Sequence, residues 1–458
     1  MLRKESQRKR KVSRRKTGSR TKTRNCSLIA LFLFTLSLMG TGVLVRAQVP
    51  GLYGDSLLHT NHIFSPDIKT VQLHKEGWEI SYPILKLNSK EKLKLSFDDL
   101  KDDIGNYYYT FIHCNADWNP SDLMETNYLE GFPENQITNY QYSFNTTVKY
   151  IHYQLTFPNE DISFRISGNY ILYVYNNYNK EEPLLTRRFM VTENLVNVKA
   201  QLKRPTITQF WESGQEISIS VNYSMYQIAN PFNEVKVVLS QNGRWDNAVE
   251  FLKPSFMRNR EIVYDFDRKN IFSGGSEYRY FDAKSLRYQT EYVQFIDFRE
   301  SIHHVALFPS KPRTNTAYFY EQDVNGKFYI KIQEGGDSDI ESDYMRVYFT
   351  LNTGFPEGSG DVYVFGALSD WTCNENNRMI FNYETSSYET SLILKQGYYN
   401  YEYVRCDKGS FYANNTVFEG SHYETENDYL VFVYHMAPGS RYDRLVGSVM
   451  VNSVHKTR

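Results

Sequence analysis

The sequence has few of the residues on which helical proteins and common enzymes depend. It contains four cysteines and only twelve alanines among 458 residues. Scarce alanine argues against a mainly helical protein, because alanine is the best helix former. The chain also lacks the motifs Gly-x-Ser-x-Gly, His-Glu-x-x-His, Gly-x-x-x-x-Gly-Lys and Cys-x-x-Cys. We therefore expect no catalytic residues, no metal site and no cofactor, and we predict that the protein is not an enzyme.

The residues that are abundant are those that suit β-sheets. There are 38 tyrosines and 29 phenylalanines, and aromatic and β-branched side chains pack well on a pleated surface. Leu93, Leu95 and Phe97 alternate with lysine and serine, which is typical of an antiparallel strand with one face in the core and one in water. The sequence predicts an all-β protein made of tandem immunoglobulin-like or early-set β-sandwich domains.

The first 47 residues have the features of a signal peptide. Residues 1–25 carry twelve lysines or arginines against one acid, and residues 27–45 are apolar or small. Val45-Arg46-Ala47 precedes Gln48 in the small-x-small pattern of a signal-peptidase site. We predict cleavage between Ala47 and Gln48 and a periplasmic protein. The alternative is an uncleaved membrane anchor, because 19 apolar residues approach the roughly 20 that span a bilayer.

Removing this leader makes the chain acidic. Residues 48–458 hold 39 lysines and arginines against 52 aspartates and glutamates, which gives a formal charge of −13. A nucleic acid or an anionic membrane would repel such a chain overall. We therefore expect no nucleic-acid partner and no direct membrane binding.

Length and turn signals divide the remaining chain. About 410 residues exceed what one sandwich holds, since domains commonly have about 100 to 150 residues. The predicted boundaries, which follow a leader at 1–47, are a first sandwich at 48–195, a second at 196–312, a connecting hairpin and acidic loop at 313–343, and a last domain at 344–458.

The last domain has a resemblance of its own. Val362-Tyr-Val-Phe-Gly-Ala-Leu-Ser-Asp-Trp371 and Gly397-Tyr-Tyr-Asn-Tyr-Glu-Tyr403 resemble the early-set immunoglobulin-like modules that include glycogen- and starch-binding domains. The resemblance implies an early-set fold and offers an alternative function, a periplasmic carbohydrate-binding protein in which Trp371 stacks on a sugar. The other interpretation is that Trp371 is a structural tryptophan at a corner of the sandwich.

Cysteines and acids raise two further site hypotheses. Cys373 and Cys406 lie in the same predicted domain, so we predict a disulfide between them in an oxidising compartment and a free, buried Cys114. Four acids in the acidic loop could bind calcium or simply line a solvated loop; they are Asp337, Asp339, Glu341 and Asp343. Their spacing lacks the turn glycine and the final glutamate of a helix-loop-helix calcium site.

The amino-terminal domain carries a run of uncommon residue combinations. They are His74-Lys-Glu-Gly-Trp-Glu-Ile-Ser-Tyr-Pro83, Ser96-Phe-Asp-Asp-Leu100, Tyr109-Thr-Phe-Ile-His-Cys-Asn-Ala-Asp-Trp118, Tyr128-Leu-Glu-Gly-Phe132, Asn139-Tyr-Gln-Tyr-Ser-Phe-Asn145 and Leu185-Thr-Arg-Arg-Phe-Met-Val191. This pattern resembles the amino-terminal domain of the plug proteins of the type IX secretion system. The resemblance implies a periplasmic protein, held at the inner face of the outer membrane by its partner, a very large outer-membrane β-barrel whose inner opening it closes.

Three aromatic residues in the loops of this domain are candidates for contact with such a partner. They are Trp118, Tyr128 and Phe132, because aromatic side chains often anchor interfaces. The alternative interpretation is that these side chains pack back onto their own sandwich.

Overall fold

The structure is a computed structural model that describes residues 59–101 and 103–454. The predicted leader and its cleavage site at Ala47 and Gln48 lie outside these residues. Strands dominate, and the described helical segments have three or four residues each, so the prediction of an all-β protein is confirmed. These segments are α1 (Glu125–Tyr128), α2 (Pro231–Glu234), α3 (Ser338–Glu341) and α4 (Thr416–Glu419), with 3-10 turns at Thr208–Phe210, Arg268–Asn270 and Ala367–Ser369. Among the described residues, no helix has the length and apolar character to cross a bilayer.

Twelve strands form the first sandwich. They are β1 (His62–Ile63), β2 (Ile68–Lys75), β3 (Ile84–Lys86), β4 (Leu93–Asp99), β5 (Tyr107–Cys114), β6 (Leu129–Gly131), β7 (Asn135–Gln136), β8 (Asn139–Tyr142), β9 (Ile151–Phe157), β10 (Ile162–Phe164), β11 (Gly168–Asn176) and β12 (Pro183–Thr192). One sheet has the order β1-β12-β11-β5-β7 with β3 on β12, and the facing sheet has the order β2-β4-β9-β8. Strands β6 and β10 pair separately.

Six strands follow in the next part of the chain. They are β13 (Asn197–Lys203), β14 (Gly214–Asn222), β15 (Val235–Gln241), β16 (Phe256–Arg258), β17 (Glu261–Tyr264) and β18 (Ile271–Ser273). Five of them form the sheet β13-β14-β17-β16 with β18 on β14, whereas β15 lies in a different sheet.

Twelve strands follow in the rest of the chain, and they belong to two different sheets. They are β19 (Arg279–Asp282), β20 (Val293–Arg299), β21 (Ile302–Leu307), β22 (Phe328–Ile330), β23 (Tyr344–Asn352), β24 (Asp361–Phe365), β25 (Arg378–Asn382), β26 (Ser387–Lys395), β27 (Gly397–Cys406), β28 (Ala413–Asn414), β29 (Asp428–His435) and β30 (Arg444–Asn452). Strands β19 to β28 form one ten-stranded sheet, here called the third sheet, in the order β19-β27-β24-β25-β26-β23-β21-β20 with β22 and β28 on β27. The third sheet contributes to two apolar clusters, a large one that includes Val347 and Tyr399 and a smaller one that includes Phe365 and Val404.

The last two strands return to the second sandwich. Strand β29 pairs with β15, with Val235 opposite His435, and β30 completes this three-stranded sheet. The two sheets bury one core that includes Ile219 and Val431. The predicted domain at 344–458 therefore does not form one sandwich, and β19 to β21, within the predicted segment 196–312, belong to the third sheet. These sheets pair strands that lie far apart in the chain. No local sequence pattern therefore marks the boundaries of the domains.

Two strands of the first sandwich are covered on both faces. On β11, Tyr170, Leu172 and Val174 point into the first core, whereas Ile171 and Tyr173 pack against the second sandwich. On β4, Leu93, Leu95 and Phe97 are in the core as predicted. Ser96 and Asp98 on the opposite face are also buried, so the expectation that this face meets water is wrong there. The first sandwich is thus enclosed by its neighbours.

Candidate functional site

The structure buries two of the three predicted anchor residues. Trp118 and Tyr128 are each 3 % exposed, whereas Phe132 is 71 % exposed. The Trp118 ring lies 5.0 Å from the Trp245 ring and 4.3 Å from the Arg188 guanidinium carbon, so it fills the junction with the second sandwich. Only Phe132 of the three is placed to meet a partner; the other two pack onto the body of the protein.

Trp371 is also held by its own protein. Its ring centroid lies 5.6 Å from that of Phe365 and 6.1 Å from that of Tyr278, both at steep angles. The Arg244 guanidinium carbon lies 5.9 Å from the same ring. These contacts hold the partly buried ring at a corner of the sheet, and the sugar-stacking role of Trp371 stays a prediction.

The cysteines serve the fold in this structure. Cys373 is joined to Cys406 by a disulfide, with Cα atoms 6.9 Å apart. Cys114 is buried, and burial raises the pKa of its thiol.

The four acids of the loop point to separate partners. Asp337 caps α3 by accepting from the Asp339 amide, and Glu341 accepts from the Asp337 amide. Asp339 pairs with Lys94 at 3.1 Å, and Asp343 accepts from Thr147. Within residues 59–101 and 103–454, no group of three or more His, Cys, Asp or Glu side chains is arranged to hold a metal ion.

A buried polar cluster joins the first sandwich to the third sheet. Asp98 accepts hydrogen bonds from the Lys395 ammonium at 2.7 Å, the Tyr344 hydroxyl at 2.7 Å and His152 Nδ1 at 2.6 Å. Asp98 and His152 lie on β4 and β9, whereas Tyr344 and Lys395 lie on β23 and β26. Burial would raise the pKa of Asp98, but the Lys395 and His152 contacts outweigh burial and lower it. The cluster therefore holds a carboxylate and fixes the two regions together.

A second buried ion pair joins the second sandwich to the third sheet. Arg244, just after β15, donates to Glu402 on β27 at 3.1 Å and to Asp246 at 2.8 Å. Burial raises the pKa of Glu402 to about 7, although Arg244 opposes this shift. Ion pairs thus hold the third sheet to both sandwiches, and the described residues act as one body.

A group of exposed aromatic residues lies in the segment of the chain that contains β20. Seven aromatic side chains between 39 and 78 % exposed lie within residues 288–320, and we call them the aromatic edge; they are Tyr288, Tyr292, Phe295, Phe298, Phe308, Phe319 and Tyr320. Strand β20 is the last strand of the third sheet and, within the described residues, pairs only with β21. This edge combines apolar side chains with a backbone that has one unpaired side.

A pocket of about 260 Å³ opens beside the start of β20. Tyr280, Tyr292, Phe308 and Phe319 are among its lining residues. The Tyr280 and Tyr292 rings lie 5.0 Å apart, and the Tyr292 hydroxyl donates to Glu321 at 2.7 Å. Burial, reinforced by Glu321, raises the pKa of Tyr292 to about 12, so its hydroxyl stays protonated at neutral pH.

The charges at the base of the pocket are paired with each other. Arg279 and Arg313 both bind the buried Glu419, at 3.0 and 2.8 Å. The pocket therefore presents mainly rings, which suits an apolar or aromatic side chain. Sequence reasoning missed this edge, although residues 293–299 break the period of two with apolar Phe295, Ile296 and Phe298 on both faces of the strand.

Comparisons with known proteins agree with the amino-terminal resemblance. Residues 68–193 match the family model described as the type 9 secretion system plug protein 1st domain. A crystal structure of a hypothetical protein from Parabacteroides merdae ATCC 43184 is 36 % identical, with a TM-score of 0.83 over 86 % of this chain and 99 % of that one. No curated protein matches the chain. The family match associates this protein with type IX secretion and with the cell envelope. The chain therefore belongs to the type IX secretion system plug protein family.

Proposed function

We propose that this protein is the periplasmic plug of the type IX translocon. It binds the periplasmic mouth of the giant outer-membrane barrel and seals it against leakage. The observation that carries the proposal is the family match over residues 68–193, which covers the strands of the first sandwich from β2 to β12. The protein acts by binding, without catalysis and without a cofactor.

Closing a wide opening requires a large protein that keeps its shape, and a rigid body of several domains meets this requirement. Outer-membrane barrels of up to about 36 strands leave a wide aqueous opening unless something fills it. A protein that closes this opening must therefore be wide and must keep its shape when it is bound to its partner. The buried pairs of Asp98 with Lys395 and of Arg244 with Glu402 join the regions, and breaking such buried pairs is costly. These contacts support a single body that can cover an opening.

Location follows from the predicted leader and the partner. Cleavage after Ala47 would release a periplasmic protein with a formal charge of −13. Attachment to the inner face of the outer membrane then depends on the barrel and not on lipid. Terminal sequencing of the native protein should find Gln48 first, and an intact leader in membrane fractions would contradict this part of the proposal.

Outer-membrane permeability in three strains tests the function. Deleting this protein should admit a large antibiotic that the wild-type outer membrane excludes, because the barrel is left open. Deleting both the protein and the barrel should restore exclusion, and a plasmid copy of the protein should restore it in the single deletion. Unchanged permeability in the single deletion, with the barrel present and otherwise unblocked, would reject the proposal. Co-purification of the barrel with the protein from native envelopes should accompany the positive result.

A further inference from the structure

A cleft of about 630 Å³ lies between the first sandwich and the third sheet. Residues from the segment 61–71 line it on one side, and residues from β26 and from the segment 367–377 line it on the other. The hydroxyl of Thr70, on the first side, lies 2.7 Å from that of Tyr344 in the buried Asp98 cluster. This cluster therefore holds the two regions together at one place beside the cleft.

A second contact between the two regions is a buried ion pair. Arg187 on β12 donates to Asp370 at 3.1 Å, and the Arg187 side chain is 4 % exposed. Burial lowers the pKa of Arg187, and Asp370 opposes this shift. Arg187 also donates to the carbonyl groups of Thr186 and of His62 on β1. Removing Asp370 would therefore leave a buried cation without its ion-pair partner beside β1, which is costly.

The backbone that presents Asp370 is strained. Asp370 and Trp371 have φ angles of 53° and 56°, and positive φ is unfavourable for a bulky side chain such as that of tryptophan. Two-residue hairpin turns require such angles, but these two residues lie in the long loop between β24 and β25. Strained backbone persists only where the surrounding structure holds it. The position of Asp370 therefore depends on contacts that fix residues 366–373, here called the corner loop.

The disulfide fixes the corner loop to the third sheet. Cys373 ends the loop two residues after Trp371, and Cys406 is the last residue of β27, which pairs with β24. Cys406 is buried, whereas Cys373 is only partly buried and precedes the exposed Asn374. A small thiol reagent can therefore approach the disulfide from the side of Cys373 in the folded protein, and such access governs thiol–disulfide exchange.

We infer that the Cys373–Cys406 disulfide is a redox-sensitive switch: its oxidised form holds Asp370 against Arg187, and its reduction releases the first sandwich from the third sheet at this contact. A dithiol supplies two electrons and two protons, so that the S–S bond breaks, two cysteine thiols form and the dithiol becomes a disulfide. Without the crosslink, the corner loop relaxes and withdraws the Asp370 carboxylate. The Asp98 cluster involves no cysteine and stays in place. An oxidising compartment keeps the contact closed. This inference does not depend on the proposed plug function.

Hydrogen exchange of the oxidised and the reduced protein tests this inference. Dithiothreitol should speed the exchange of amides 62–64, beside Arg187, roughly tenfold or more, because β1 opens more easily once the contact is lost. Amides 429–434 of β29 should stay as protected as before, and reoxidation should restore slow exchange at 62–64. The variant C373S/C406S should exchange like the reduced wild type and should not respond to dithiothreitol, which shows that the reagent acts on this disulfide.

The variant D370N shows whether the disulfide acts through Asp370. Asparagine tolerates positive φ as aspartate does, so D370N removes the charge and keeps the backbone. In the oxidised protein it should speed exchange at 62–64 by a factor similar to that of reduction. In C373S/C406S it should add less than about twofold, because the contact is already lost. The matched control is D361N, which breaks a partly exposed pair with Arg378 in the third sheet and should leave exchange at 62–64 unchanged.

Three outcomes would overturn the inference. Unchanged exchange at 62–64 on reduction would mean that the disulfide does not control the contact. Effects of D370N and of reduction that multiply would mean that the disulfide acts independently of Asp370. Loss of protection at 429–434 as well as at 62–64 would mean that reduction unfolds the second sandwich and that the disulfide only supports the fold.

Discussion

The first sandwich and the aromatic edge are both rich in aromatic residues but expose them differently. Residues 62–192 have six exposed aromatic side chains, whereas the aromatic edge has seven in the much shorter segment 288–320. Phe111 in the first sandwich is fully buried, and its ring contacts those of Phe157 and Phe164 at 4.9 and 5.0 Å. Phe298 on β20 is 53 % exposed. Aromatic content alone therefore does not show which rings face solvent; the place of each strand in its sheet decides that, and the edge strands β8, β16 and β20 all carry exposed aromatic side chains.

The largest expected effect comes from removing one ring in each region. Phe111→Ala should lower the free energy of unfolding by about 3 to 5 kcal/mol, because it leaves a cavity in a closed core. Phe298→Ala should change it by less than about 0.5 kcal/mol, because its ring is half in water. Chemical denaturation of the two variants measures both values. Similar losses in the two variants would mean that the aromatic edge is part of the core.

The next largest effect is expected at the buried Asp98 cluster, which joins the first sandwich to the third sheet. Lys395→Ala removes the ammonium from Asp98 and leaves a buried carboxylate, so we expect a loss of about 3 kcal/mol. This is the lower end of the range for a broken buried pair, because His152 and Tyr344 still donate to Asp98.

A surface pair provides the control for that variant. Lys75 and Glu91 form an exposed pair at 2.9 Å, and Lys75→Ala should cost about 0 to 1 kcal/mol. Equal losses from Lys395→Ala and Lys75→Ala in thermal or denaturant unfolding would contradict the idea that the Asp98 cluster fixes the first sandwich to the third sheet.

The strands of the first sandwich could be predicted from its sequence, but its surroundings could not. Alternation correctly placed Leu93, Leu95 and Phe97 in a core because that signal is local. The burial of the opposite face of β4 depends on β23 and β26, which come much later in the chain, and no nearby residue signals it. The same limit applies to Trp118, whose loop position suggested exposure although Trp245 covers it.

The exposure of the aromatic edge could not be predicted from the sequence, for a different reason. Apolar residues on both faces of 293–299 are equally typical of a fully buried strand, so the pattern alone cannot assign an edge. The order of strands in the third sheet decides it, because that order places β20 last. The family model matches residues 68–193 and therefore does not include the aromatic edge at 288–320.

The pH dependence of stability should differ between the two buried ion pairs. The pKa of Asp98 is lowered in the folded protein, so its stabilising effect is present above about pH 4 and is lost as the pH falls through the folded value. The pKa of Glu402 is raised to about 7, so the folded state keeps a proton that the unfolded chain loses near pH 4 to 5. Stability should therefore fall as the pH rises from about 5 to about 7.

Glu402→Gln isolates the second of these effects. Glutamine cannot titrate, so the variant should lack the decline of about 1 kcal/mol per pH unit that Glu402 contributes in this window. Denaturant unfolding of wild type and Glu402→Gln at pH 5, 6 and 7 measures the difference. Parallel curves for the two proteins would show that Glu402 is ionised throughout and that Arg244 outweighs burial.

The smallest expected effect is the change in the free energy of unfolding of the protein when two lysines replace rings of the aromatic edge. F295K/F298K should unfold within about 0.5 kcal/mol of wild type, because both side chains are surface positions away from any core cluster. The same variant should bind less of a dye that fluoresces on apolar surfaces, whereas F256K/M257K should reduce the signal less because β16 is shorter and carries fewer aromatic neighbours. A stability loss in F295K/F298K as large as that expected for Phe111→Ala would place the two rings in the folded core and remove the contrast with Phe111.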